Sequence, residues 1–327
     1  MADILLDKVL PSTGEILSDG NIDYGRILKR LFDKGNYTVT INNITSTQTA
    51  STSDSIYISP GVALNFYSSV VQNLDSPDFK GTLNVNILNN TFSKSQIIFH
   101  NNSISSGSEI PSRITFVKPT SINGVTFSNY ERFLNNSLIR LVGDFTSSFS
   151  DCFFNNYSKN NFAIVCEQTT IHCSNCSFTG QGTSLLAETT CSNVNFINNL
   201  NHGVGRAVKV NNSTTGCKVS LIENTLDIGG QLLWSNGKIL SNSIIQYNVV
   251  EYHSRGLTNE PNNGQVIYIL GQIDGLQISD NIFSGADRIN GDVLNTTQTD
   301  SFIPRRPISC ITLDGNFIKN NVNIRRN

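Results

Sequence analysis

The sequence predicts an all-β chain wound into a single solenoid of short stacked strands. Three observations carry that prediction: a recurring strand–corner–strand motif, a composition poor in charge and rich in Asn, and apolar residues that are mostly β-branched or aromatic. The motif is plainest at residues 275–283 (GLQISDNIF). Leu276 and Ile278 lie two apart and so share one side of a strand. Asn281 is read as the corner residue, because a short amide tolerates the left-handed conformation a sharp corner needs. Phe283 then faces inward on the next strand. Looser copies occur at residues 83–92, 122–127, 149–154, 173–178, 191–196, 218–226, 239–250 and 311–318. Their spacing, roughly 18 to 35 residues, lies in the range of solenoid repeats. One such unit cannot bury its apolar side alone, so units stack.

The composition agrees. Charged residues make up 15% of the 327 residues, and Asn alone is about one residue in eight. Asn, Ser and Thr are poor helix formers and good corner formers, whereas Ile, Val and Phe suit strands. A net charge of −2 gives no basis for non-specific binding to nucleic acid or acidic membrane. The start, MADILLDKVLPSTG, has acids among its apolar residues and does not read as a signal peptide. No apolar run is long enough to span a bilayer. Seven cysteines, an odd number, suggest reduced thiols in a protein assembled inside a cell. Sequons such as Asn43-Ile44-Thr45 and Asn175-Cys176-Ser177 are expected by chance in so Asn-rich a chain.

In order along the chain, residues 1–20 form an irregular leader punctuated by Pro11, Gly14 and Gly20. Asn21 or Asp23 caps a short helix with Ile27, Leu28, Leu31 and Phe32 on its apolar side, and Gly35 ends it. A strand at residues 37–41, a polar loop at 45–55 and a strand–turn–strand at 56–66 (IYISPGVALNF) follow. About nine coils are expected from Phe79 onward. Their strands include residues 97–99, 138–142, 162–166, 207–210, 232–234 and 266–270. Polar inserts are expected at residues 105–113, 199–205, 253–264 and 284–306. The last coil is read at 308–317, with Val322 and Ile324 or another subunit covering its open edge.

The helix, the glycine, the strand and the YISPGVALNF turn resemble the opening of pectin-lyase-like right-handed parallel β-helices, the fold of phage tail spikes and related proteins. The Asn-x-aromatic corners resemble the internal coils of that family. The resemblance implies a right-handed parallel β-helix over residues 55–327. It also implies that residues 1–54, with their short N-terminal capping helix, cap the solenoid and attach it to a virion.

Five constellations bear on chemistry. Cys173 and Cys176, with Cys191 and His202 downstream, invite a zinc reading. The favoured alternative is a core column, since Cys152 and Cys176 stand two residues before an aromatic, as Val125 and Val194 do. No metal and no cofactor are therefore expected. Asn90, Asn175, Asn224, Asn248 and Asn281 could stack as an amide ladder, which is preferred to independent solvent-facing turns. Glu251, His253 and Arg255 alternate at the base of a long insert and are the best candidates for a polar or catalytic site, against the reading of a solvated strand end. Asp274, Asp280, Asp287, Arg288 and Asp292 form a more scattered group. Finally, Asn201-His202-Gly203 with Arg206 and Lys209 is similar to His-Gly and Arg-x-Lys elements of polygalacturonases. That family's paired aspartates are absent, so its activity is not carried over.

The expectation is a virion appendage of a bacteriophage: a tail spike, tail fibre or head fibre component assembled in the host cytoplasm. It would be a homotrimer, joined to other virion proteins through its N-terminal region and contacting a host surface polysaccharide. The alternatives are a polysaccharide lyase or glycoside hydrolase, which needs converging carboxylates, and a decoration protein without a ligand.

Overall fold

Parallel β-strands stack in long ladders, one strand per ladder in each turn of the chain. The computed structural model describes residues 4–33, 56–57, 63–66, 70–71, 83–86, 96–99, 101–102, 110–111, 114–116, 120–129, 137–157, 161–212, 214–252, 265–285, 311–313 and 321–326. The strands at 37–41, the loop at 45–55 and the insert at 253–264 lie outside these residues, as does most of the insert at 284–306.

Three faces result. The first carries Ile114–Phe116, Thr183–Ala187, Arg206–Val210, Gln231–Ser235, Ile267–Ile269 and Ile311–Leu313. The second carries Leu83–Asn86, Thr120–Asn123, Asn193–Ile197, Lys218–Ile222, Ser243–Gln246, Leu276–Ser279 and Val322–Arg325. The third is a 9-stranded sheet running from Ala63–Phe66 to Ile282–Gly285. Ser137–Ser150 and Phe162–Ser174 are long enough to pair on the first face with one half and on the second with the other. The strands expected at 97–99, 207–210, 232–234 and 266–270 are present within a residue of their predicted ends, whereas those expected at 138–142 and 162–166 run on to Ser150 and Ser174.

The inward positions form continuous apolar columns, because in-register stacking puts equivalent side chains one strand spacing apart. On the third face the column runs Phe127, Phe154, Phe178, Asn201, Leu226, Val250, Phe283. Phe154 stacks on Phe127 and Phe178 with ring centroids 5.2 and 4.8 Å apart. Phe283 keeps the inward register predicted for it but is only half-buried.

The corner between the second and third faces repeats turn after turn. Gly124, Asp151, Asn175, Asn198, Glu223, Tyr247 and Asp280 all have positive φ, from 52° to 68°. Asp280, not Asn281, therefore takes the left-handed position. The next residue in each turn points inward: Val125, Cys152, Cys176, then Asn199, Asn224, Asn248 and Asn281, all buried. The four asparagines form the amide ladder. Asn248 Oδ1 accepts from the backbone N and the Nδ2 of Asn224, both at 2.9 Å. Asn281 Oδ1 does the same for Asn248, and Asn224 Oδ1 for Asn199. Asn175 is an exposed corner residue, not a ladder member, and Asn199 is a member the sequence reading missed. Asn90 lies outside the described residues. The supposed insert at 199–205 holds a ladder asparagine and the strand Leu200–His202.

The cysteines follow the same geometry. Cys152 and Cys176 share the corner column with Val125, as predicted. Val194 and Phe196, however, pair with Ile171 and Cys173 on the second face, so they belong to a different column. All six described cysteines are free and buried. Burial pushes the Cys152 and Cys173 thiols up, which keeps them neutral.

At the N-terminus the helix Tyr24–Asp33 lies where the apolar spacing placed it. Asp23 caps it, its Oδ1 accepting from the backbone N of Gly25 at 3.0 Å. Ile27 and Leu28 enter the core, and the helix packs beside Ala63–Phe66 and Val70–Val71. Val322 and Ile324 do not fold over an open edge. Their strand extends the second face by pairing with Leu276 and Ile278.

Candidate functional site

The outer side of the third face gathers the polar groups of most chemical interest. Alternation turns Asn201 and Leu226 inward, so the residues on either side of them point out. One outward column runs Ser177, Leu200, Thr225, Val249, Ile282, and the next runs Thr179, His202, Asp227. Glu251 follows the inward Val250, which pairs with Leu226, on the strand next to Asp227. The ladder has an irregularity between Leu226 and Gly229, beside Glu251.

His202 Nδ1 lies 2.9 Å from Asp227 Oδ2, and both side chains are substantially exposed. The carboxylate orients the imidazole ring and leaves Nε2 facing outward as a donor or an acceptor. Asp227 and Glu251 stand on neighbouring strands of the third face. Glu223, on the same coil as Asp227, sits in the left-handed corner column.

Of the predicted trio, Glu251 is exposed on its strand, whereas His253 and Arg255 lie outside the described residues. The His-Gly and Arg-x-Lys elements are not brought together: His202 is on the third face, and Arg206 and Lys209 are on the first. The scattered acids have structural partners. Asp274 pairs with Lys238 at 2.8 Å and Asp280 with Arg326 at 2.9 Å. Lys238 holds the Asp274 carboxyl below its ordinary range. Asp287, Arg288 and Asp292 lie outside the described residues. Among the described residues no group of His, Cys, Asp and Glu has the arrangement to hold a metal ion. Among the same residues no helix is long and apolar enough to cross a membrane.

Leu200, Val249 and Ile282 line the neighbouring column at 46, 42 and 61% exposure, with Tyr247 exposed at the adjoining corner. Nothing in the sequence distinguished these positions from core, because an apolar residue one step out of phase looks the same until the register is known. Compared with known proteins, the chain matches no family model, no curated protein and no solved structure at a significant level.

Proposed function

We propose that this chain is an adhesive, structural appendage of a bacteriophage virion, a pectin-lyase-like β-helix that assembles as a homotrimer and meets a host surface glycan. The observation that carries the reading is the outer side of the third face, where exposed Leu200, Val249 and Ile282, in one column with Thr225, run beside His202, Asp227 and Glu251. Scattered exposed apolar residues need no explanation, but an aligned row beside polar groups suits an interaction surface. The solenoid supplies a stiff support for it. The leader and helix, within residues 1–54, form the end that joins other virion proteins. Assembly would take place in the host cytoplasm.

The test is incubation of the full chain with the purified surface polysaccharide of the host, followed by co-sedimentation and size analysis. Retained polysaccharide of unchanged length is the expected result. Absence of binding would sink the adhesive reading. The adjacency of Asp227 and Glu251 favours one second reading, glycoside hydrolysis. Shortened chains from wild type but not from Glu251→Gln would establish it in place of adhesion.

A further inference from the structure

We draw no further inference here: the strongest candidate, the outer edge of the strand Val322–Arg325 at the end of the second face, where Ile324 stays 47% exposed in line with the buried Ile278, carries none because nothing in the structure shows what covers it.

Discussion

Asn248 donates from Nδ2 to Asn281 Oδ1 and to the Leu221 carbonyl, both at 2.8 Å, while its Oδ1 satisfies two groups of Asn224. Truncating it strands several buried polar groups at once, each worth about 1–3 kcal/mol. Asn248→Ala should therefore lower stability by roughly 3 kcal/mol or more, read from the midpoint of urea unfolding. Asn175→Ala, at an exposed corner with φ of 54°, should cost about 1 kcal/mol from backbone strain and one exposed bond to Asn198. Equal losses would show that the ladder is not cooperative. This contrast also explains what the sequence hid. The left-handed position and the inward position are adjacent, and both accept Asn, as Asn198 and Asn199 show. With repeats of uneven length, the phase cannot be set to one residue from Asn alone. Asn281 and Asn175 were each placed one position out for that reason.

Packing decides the behaviour of whole strands. Phe154 is fully buried between two stacked rings, whereas Phe283, in the same column, is half-buried. Phe154→Ala should cost about 3–5 kcal/mol; Phe283→Ala should cost clearly less, both measured by chemical denaturation. The strands were legible because alternation around Phe, Val and Ile survives any uncertainty in phase. Leu200–His202 was not, since Asn201 occupies its inward position, where the stack calls for an apolar side chain; Ser184 and the Thr225 carbonyl satisfy that amide. The N-terminal elements add an ion pair to the core contacts of Leu6, Val9 and Ile22. Arg30 grips the Glu15 carboxylate with two nitrogens, one of them at 2.9 Å from Oε2. Arg30, against the opposing effect of burial, holds that carboxyl below its ordinary 4.5. A depressed folded pKa adds stability that is complete above the unfolded value and is lost as the pH falls through the folded one. Limited proteolysis should therefore release residues 4–22 from the helix more readily as the pH drops below about 4.5. Arg30→Leu should show the same release at neutral pH. A cleavage rate independent of pH would remove the ion pair from this role.

On the scale of the whole molecule, parallel ladders satisfy the backbone of the described strands within the chain and leave their outer faces open to recognition. Turn-by-turn stacking was readable from the repeats, but the contents of those faces were not. Which acid stands on the strand next to Glu251 depends on coil length, and Asp227 comes to that strand through a count of residues that no local motif encodes. The exposed row of Leu200, Val249 and Ile282 has the same origin, and it sets the final test. Three copies joined along this row would bury it, and a lysine in the row would place an ammonium in the interface without disturbing the core behind it. Surface substitutions away from the core change stability by less than about 0.5 kcal/mol, so Ile282→Lys should leave the circular dichroism and the melting temperature of the single chain intact. Sedimentation should then show wild type near three times 35.9 kDa and Val249→Lys or Ile282→Lys near one. If wild type itself sediments as one chain, the row has another partner and the trimer is wrong. If both variants remain trimeric, the chains meet on a different face.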